Sequence, residues 1–357
     1  MKLRVLALVS AILVVLAVAA FAVNRWMTAP KTEGRVGKIL MSDVDLAKAT
    51  RIEIVSPDHT VTLHTEHGRE WSVAQEQDFP VDPKKLKTLF VRLTSEKIAH
   101  KVTDNADKLP DLGLLTADEN NGKLEASKTA RVLSVLGKDD KPIFGLLMGN
   151  DRRGQGAMTF GGVYVRYPKE KAAYLIGDSV VTDYRPEDWI DTSVLDLNAD
   201  KDIRSVRVEQ PGQRPVHLSR AKADDPFKLD GMPDADLDKS QVRRVTGQLA
   251  GLSAFKVKAG DTPVAEVGRA RTGRVELELF DKRHFTVDVG EAKAKDDYRY
   301  ITVRATLDAS VKDPALHEQV DAFNKRFVGR LLGVYDFDGK TMLTAWKDYK
   351  VKPKKKS

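Results

Sequence analysis

One succession of strands and a helix occurs twice in this chain, and it restricts the possible folds more than any other feature. RIEIV, VTLHT and EWSVA alternate apolar and polar residues, as strands with one buried face do. The period then changes to that of a helix, with Asp82 as N-cap and Pro83 at the first helical position. SVRVE, PVHLS and PFKLD repeat the strands, and a second helix follows Asp238.

The two copies align without a gap from Trp71 to Leu93, at an offset of 156 residues. The pairs of similar character are Trp71 with Phe227, Val73 with Leu229, Asp82 with Asp238, Leu86 with Val242, Leu89 with Val245 and Leu93 with Leu249. The next segments also correspond: TARVLSVLGKDDKPIFGLLMG and TGRVELELFDKRHFTVDVG each contain two alternating strands joined by a charged turn. The sequence therefore predicts an α+β fold, a tandem duplication of a β-rich antiparallel unit. Each copy has about six strands and one amphipathic helix.

We place the first repeat at residues 46–195, the second at 196–337 and a basic C-terminal tail at 338–357. Val320, Phe323, Phe327 and Leu331 have helical spacing and predict a further helix near the end of the second repeat. LTAWKDYKV is interpreted as a strand that leads into the tail.

The run Val5–Val23 contains one polar side chain and no charge over nineteen residues, which is the length needed to cross hydrocarbon. We predict a transmembrane anchor at residues 1–26, with Trp26 at the interface, and a tether at 27–45. A cleaved signal peptide is the alternative, because Lys2 and Arg4 form a basic head and small residues end at Ala19 and Ala22.

Two rules give opposite predictions for the topology of the anchor. Two positive residues precede the run and four follow it, and this count alone places the C-terminal side in the cytoplasm. A short basic head is nevertheless typical of an export signal, and long hydrophilic domains translocate largely regardless of charge. We predict a single-pass protein of the inner (cytoplasmic) membrane with its body in the periplasm or outside the cell.

Composition excludes several functional classes. The chain has no cysteine, which removes thiol catalysis, disulfides and cysteine-bound zinc. The net charge is +7, but residues 1–38 and 347–357 each carry +5, which leaves −3 for the residues between. A nucleic-acid partner needs a basic face on the folded body, so we predict no nucleic-acid binding.

Several short patterns resemble the domain-of-unknown-function 4340 family. They are Trp71-Ser72-Val73, Pro80-Val81-Asp82, Gly149 followed by Val163-Tyr164-Val165-Arg166, Ala173-Tyr174-Leu175, and Asp188-Trp189 before Ile203–Val208. The resemblance covers most of residues 46–305. It implies a single-span extracytoplasmic protein, often found beside ABC-transporter permeases and gliding-motility-type auxiliary subunits. It implies no catalytic residues.

The residue patterns assign no catalytic, cofactor-binding or metal-binding residue. His59, His64 and His67 cluster in the first hairpin, but alternation sends His64 outward, and solvated surface histidines explain the cluster. Gly177-Asp178-Ser179 lacks flanking residues that would activate a serine, so it is interpreted as a turn.

Two segments are interpreted as contact surfaces. The glycine-rich stretch GNDRRGQGAMTFGG lies between strands, and Arg152, Arg153, Met158 and Phe160 are predicted to contact a partner, with a simple hairpin tip as the alternative. Lysines at the C-terminus are predicted to contact a membrane surface, with a solvated tail as the alternative: Lys350, Lys352, Lys354, Lys355 and Lys356.

From the anchor, the duplicated body and the resemblance, we expect a membrane-anchored extracytoplasmic binding or assembly subunit that is not an enzyme. Its expected partners are the membrane and other subunits of a membrane complex, with the ABC-transporter type suspected. A cell-envelope hydrolase with an unrecognised carboxylate site, and a carrier of lipids or polyanions, are the alternatives from other classes.

Overall fold

The computed structural model describes residues 34–351 except 43, 67, 69, 154–159, 263–270 and 293–296. These residues form two compact units, one ending at Asp191 and the other beginning at Thr192. The apolar run Val5–Val23 lies outside the described residues. Within the described part of the chain, no helix combines the length and the hydropathy needed to cross a bilayer.

The first unit contains one antiparallel sheet of nine strands. Its strands are β1 (Ala49–Val55), β2 (Thr60–His64), β3 (Ser72–Val73), β4 (Phe79–Pro80), β5 (Ile98–Thr103), β6 (Arg131–Gly137), β7 (Pro142–Arg153), β8 (Phe160–Arg166) and β9 (Ala173–Ile176). Their order across the sheet is β4-β3-β2-β1-β6-β7-β8-β9-β5.

The second unit contains an antiparallel sheet of eight strands. They are β10 (Ile203–Glu209), β11 (Val216–Ser219), β12 (Lys228–Leu229), β13 (Lys256–Ala259), β14 (Arg271–Leu279), β15 (Arg283–Ala292), β16 (Tyr298–Leu307) and β17 (Arg330–Tyr335). Their order is β12-β11-β10-β14-β15-β16-β17-β13.

Four α-helices complete the described fold: α1 (Pro83–Ser95), α2 (Lys239–Ala250), α3 (Pro314–Phe327) and α4 (Asp336–Met342). The predicted α+β class is confirmed. The second unit contains α2, which is the helix expected in each copy, α3, which matches the further helix predicted near the end of the second repeat, and α4, which was not expected. The expectation of about six strands per copy was also too low, because β4, β5, β9, β13 and β17 were not predicted. β4 has two residues, β5 is buried at one residue of six and β9 at all four, so none of these three shows an alternating pattern.

The helix starts agree with the sequence analysis. The Asp82 carboxylate accepts a hydrogen bond from the Lys84 backbone N–H at 2.8 Å, and the Asp238 carboxylate accepts one from that of Ser240 at 2.9 Å. Each aspartate therefore satisfies a donor that the first helical turn leaves free. Leu89 of α1 and Val245 of α2, which align at the offset of 156, are both buried.

The two sheets connect their strands in the same way. In each, the first strand lies inside the sheet and the following strands extend to one edge. The helix then leads to a strand at the opposite edge, which is β5 in the first sheet and β13 in the second. The four remaining strands fill the space between that edge and the first strand.

The end of the second unit differs from the prediction. The helix predicted through Leu331 ends at Phe327, and Leu331 lies in β17. Gly329 has a φ of +83°, a conformation that ends helices and costs glycine little, so the chain turns there despite the helical spacing of its apolar residues. α3 packs on β16, where the Asn324 amide exchanges two hydrogen bonds with the backbone of Ala305 at 2.8 and 2.9 Å.

Most of the segment that we assigned to a strand and a basic tail is part of the second unit. Residues 336–342 form α4, and Trp346–Tyr349 form a 3₁₀ turn instead of a strand. Met342 and Tyr349 are fully buried. The many lysines of this region suggested a solvated tail, but its buried apolar residues pack into the second unit. The predicted start of the tail at residue 338 is therefore wrong.

The predicted tether also ends earlier than residue 45. Residues 35–41, here called the docked segment, lie against the end of α1 and the start of β5. The backbone N–H groups of Gly37 and Leu40 donate to the carbonyls of Ile98 and Glu96 at 2.8 and 2.7 Å. Leu40 is buried, and the Tyr167 hydroxyl donates to its carbonyl. A polar composition suggested a loose linker, but these contacts hold the segment in place.

Candidate anion-binding cleft

An open cleft of about 1180 Å³ lies in the second unit. Its walls are the N-terminal turn of α2, the turn that follows β10, and the segment from α4 to the last described residues. Seven charged residues line it, five cationic and two acidic: Arg214, Lys239, Arg244, Lys340 and Lys347, with Asp238 and Asp348. The cleft is thus a positive region on a body whose overall charge is slightly negative.

The wall after α4 is held by backbone and side-chain hydrogen bonds. The Asp238 N–H donates to the Tyr349 carbonyl at 2.7 Å, and the Gln241 amide donates to the Thr344 hydroxyl at 3.1 Å. The Tyr349 ring is fully buried below this wall, and burial raises the pKa of its hydroxyl. The wall is therefore an integral part of the unit.

Arg214 is positioned by an aromatic ring. Its guanidinium lies 3.9 Å from the centroid of the Trp346 ring, and the indole N–H of Trp346 donates to the Asp230 carbonyl at 3.0 Å. One guanidinium nitrogen of Arg214 also donates to the Asp230 carbonyl at 3.5 Å, and the stacked guanidinium keeps its orientation while its other N–H groups stay available to a ligand. Arg214 forms no ion pair with a carboxylate of the described residues.

Most of the cleft's other cations are likewise not paired with a carboxylate of the described residues. Among the described residues, Lys239, Arg244 and Lys347 form no ion pair with a carboxylate, and all three are exposed. Lys340 does form one, with Asp336 at 2.5 Å. Four of the five cations can therefore bind an external anion without first breaking an internal pair.

Asp238 does not provide an acid or base for chemistry in the cleft. Its carboxylate accepts hydrogen bonds from the Ser240 hydroxyl and from the backbone N–H groups of Ser240 and Gln241. The Ser240 hydroxyl, followed by these N–H groups, lowers the pKa of Asp238. The helix N-terminus is thus occupied by the protein's own carboxylate, and attraction for an anion comes from the side-chain cations.

The carboxyl groups whose pKa is raised lie elsewhere. Burial raises the pKa of Glu53 on β1 and of Asp338 on α4, and neither lines the cleft. Two other carboxylates, near the end of the first unit, form ion pairs: Asp183 is 3.5 Å from the Lys85 ammonium, and Asp188 is 2.8 Å from the Arg185 guanidinium.

The turn predicted at Gly177-Asp178-Ser179 is present. The Ser179 hydroxyl donates to the Val181 carbonyl at 2.6 Å, and the Gly177 N–H donates to the Glu96 carboxylate at 2.8 Å.

His64 lies 3.4 Å from the Asp78 carboxylate, while His67 is outside the described residues. Over the described ranges, no group of three or more metal-ligating side chains is found.

The predicted partner surface is described only in part. Arg152 and Arg153 are the last residues of β7 and Phe160 is the first of β8, so they belong to a hairpin and not to a fourteen-residue loop. Arg152 is exposed, and Arg153 pairs with Phe160 across the hairpin. The side chains of Arg153 and Phe160, and all of Met158, lie outside what the structure describes.

The predicted membrane-contacting lysines are described only at their first member. Lys350 is exposed and lies 3.9 Å from the Asp236 carboxylate. Lys352, Lys354, Lys355 and Lys356 fall outside the described residues. Sequence reasoning did not find the cleft, because its cations come from three separate segments and form no local motif. The single available signal was Lys239, directly after the predicted N-cap of α2.

No curated protein and no solved structure matches the chain significantly. The family model described as Domain of unknown function (DUF4340) matches residues 71–266, which are more than half of the chain. That range begins at Trp71 in the first unit and ends in the second unit after β13. The resemblance seen in the sequence is confirmed, and the protein belongs to the family described as Domain of unknown function (DUF4340).

Proposed function

We propose that this protein is a membrane-anchored, extracytoplasmic binding or assembly subunit of a membrane complex, with no catalytic activity of its own. The observation that carries the proposal is the cleft with four cations that form no ion pair with a carboxylate of the described part of the chain. Such a site is suited to hold an anionic group and provides no acid–base pair with matched geometry. The first candidate for the complex is of the ABC-transporter type, as the family resemblance implies.

The docked segment supports a body held close to the membrane. The apolar run ends at Val23, and Arg35 is already fixed, with its guanidinium 2.6 Å from the Glu170 carboxylate. Residues 24–34 connect the two, and a fully extended chain of this length reaches about 40 Å. An anchor at Val5–Val23 therefore keeps the first unit within reach of proteins embedded in the same bilayer.

A tandem duplication explains the architecture of the body. It is supported by the offset of 156 residues, by equivalent caps at Asp82 and Asp238, and by a similar order of strands in the two sheets, which differ by one edge strand. Two copies of one fold give two binding surfaces on one chain. In this proposal the hairpin end at Arg152 contacts another subunit, and the cleft of the second unit binds an anionic group.

The topology is tested with a reporter fused at Ser357 that is active in the cytoplasm only. We expect no signal, because the body is exported and the anchor crosses the membrane once. A reporter signal equal to that of a cytoplasmic control would reverse the topology.

Assembly is tested by crosslinking the full chain in native membranes, followed by extraction in mild detergent. We expect one defined product that contains a second, membrane-embedded polypeptide, and Arg152→Ala lowers its yield. Arg304→Ala is the matched control, since Arg304 is also an exposed arginine on a strand. A chain that is recovered alone, or a product that both variants reduce equally, contradicts the proposal.

A further inference from the structure

The two most exposed large apolar side chains of the described residues belong to α4, whose Lys340 lines the cleft, and to the residue just before that helix. Phe337 on α4 is 67% exposed, and Tyr335, just before that helix, is 59% exposed. Lys340 follows Phe337 by three residues, so both side chains are on one face of α4, and Lys340 lines the cleft. An exposed aromatic ring and a cation of the cleft therefore share one face of α4.

Tyr335 belongs to a small aromatic cluster. Its ring stacks on Phe255 with centroids 4.7 Å apart, and Tyr298 meets Phe255 edge-on at 5.7 Å. The Lys256 ammonium lies 5.3 Å from the centroid of the Tyr298 ring. Tyrosine, phenylalanine and lysine together suit the boundary between lipid headgroups and hydrocarbon, because apolar rings enter the boundary while charged ends stay in water.

The cleft supplies what the aromatic surface lacks, which is a site for negative charge. Arginine and lysine both bind phosphate oxygens, and Arg214 is already oriented by Trp346. A soluble anion would use the cations alone and would leave Phe337 and Tyr335 without a function. A bilayer presents both partners at once, phosphate at the surface and hydrocarbon directly below it.

We propose that the cleft binds the phosphate of an anionic membrane lipid while Phe337 and Tyr335 enter the headgroup boundary. The second unit then lies on the same bilayer that holds the anchor. The inference rests on the proposed membrane anchoring, but it does not depend on the identity of any protein partner.

The test uses the full chain in lipid nanodiscs of two compositions, phosphatidylcholine alone and an equimolar mixture with phosphatidylglycerol. Brief acylation of lysines is followed by mass spectrometry. We expect Lys340 and Lys347 to react about fivefold more slowly in the anionic discs, a factor that corresponds to the roughly 1 kcal/mol gained by one lysine at an anionic surface. Lys201 and Lys312, exposed lysines of the same unit that do not line the cleft, should react equally in both.

A second measurement tests how deeply the side chain at position 337 enters the bilayer. Because the chain has no cysteine, Phe337→Cys carries a single nitroxide label. We expect the label to become accessible to oxygen and shielded from a water-soluble nickel chelate in the anionic discs only. The high exposure of Phe337 makes the replacement compatible with folding. In Arg214→Gln the protection of Lys347 should fall, while Lys312→Gln leaves it unchanged.

Equal lysine reactivity in the two discs, or a label at position 337 that stays in water in both, overturns the inference. Protection by inorganic phosphate or polyphosphate in phosphatidylcholine discs, without an effect of phosphatidylglycerol, also overturns it, because the site then serves a soluble anion. None of these results affects crosslinking at Arg152, so failure here is separable from failure of the proposed assembly function.

Discussion

Replacing Leu40 with alanine should release the docked segment from the first unit. The Leu40 side chain is 2% exposed, while that of its neighbour Ile39 is 37% exposed. The two residues have the same number of carbon atoms and adjacent positions. Ile39→Ala is therefore a matched control that removes the same chemical groups from a site with little burial.

The free energy that Leu40→Ala is expected to cost follows from the burial of this side chain. Leucine to alanine removes three carbons, which are worth about 0.8 kcal/mol each when they leave water. The cavity that remains raises the cost, and buried leucines typically lose about 2 to 5 kcal/mol. A segment at the edge of a unit can partly collapse into the space, so we expect about 3 kcal/mol for Leu40→Ala. Ile39→Ala should cost about 1 kcal/mol or less.

Hydrogen exchange of the full chain measures the difference in free energy between the two variants directly. The N–H groups of Leu40 and Met41 donate to the carbonyls of Glu96 and Leu93 at 2.7 and 3.2 Å, so they exchange only when the segment opens. A loss of about 3 kcal/mol increases the opening constant by about a hundredfold. Exchange in a peptide covering residues 37–42 should accelerate by that factor in Leu40→Ala and by less than about tenfold in Ile39→Ala.

Burial of Leu40 does not hold the docked segment if the two variants exchange at the same rate, or if Leu40→Ala exchanges like the unaltered chain. Either result would mean that backbone pairing and the Arg35–Glu170 ion pair hold the segment without the buried leucine. The limit of about 40 Å on the reach of the connection would still apply as long as Arg35 stays bound.

Further predictions concern buried polar groups. Tyr349→Phe should stabilise the chain by about 1 kcal/mol in chemical denaturation, because its buried hydroxyl has no hydrogen-bond partner among the described atoms. Tyr167→Phe should destabilise it by about 1 kcal/mol, since that hydroxyl donates to the docked segment. Burial raises the pKa of Glu53 above 4.5, so between 4.5 and that raised pKa this carboxyl group binds more protons in the folded state than in the unfolded state. The contribution of Glu53 to stability is lost as pH rises through this window, and Glu53→Gln should be more stable than the unaltered chain at neutral pH in denaturation curves, with no advantage below pH 4.5. Arg220→Lys should cost about 3 kcal/mol, measured in the same way, because the buried guanidinium donates to four backbone carbonyls and lysine cannot. The exposed control Arg207→Lys should cost less than about 0.5 kcal/mol.

Local signals predicted a large part of this fold. Alternation identified β1, β2, β10 and β11, and the aspartates before α1 and α2 marked the starts of both helices correctly. These signals are carried by neighbouring residues, so they can be read without knowing what the chain contacts.

The features that sequence reasoning missed depend on distant contacts. Helical spacing extended α3 into β17, because four apolar residues fit a helix until Gly329 turns the chain. The C-terminal wall of the cleft was assigned to a tail, since the hydrogen bond from Asp238 to Tyr349 joins residues more than a hundred positions apart. The cleft has no linear motif for the same reason.

The position of the edge strands sets the order in which each unit can fold. β5 pairs only with β9 among the described strands, and β13 pairs only with β17. A strand that is synthesised early therefore lacks its partner strand until the last strand of its sheet has been synthesised, although the docked segment already pairs with the first residue of β5. Such long loop closure slows folding and leaves a strand edge open to wrong partners in the meantime. Any truncation that removes β9 or β17 should leave β5 or β13 without its partner strand, and nascent chains should stay sensitive to proteases until that strand has been synthesised.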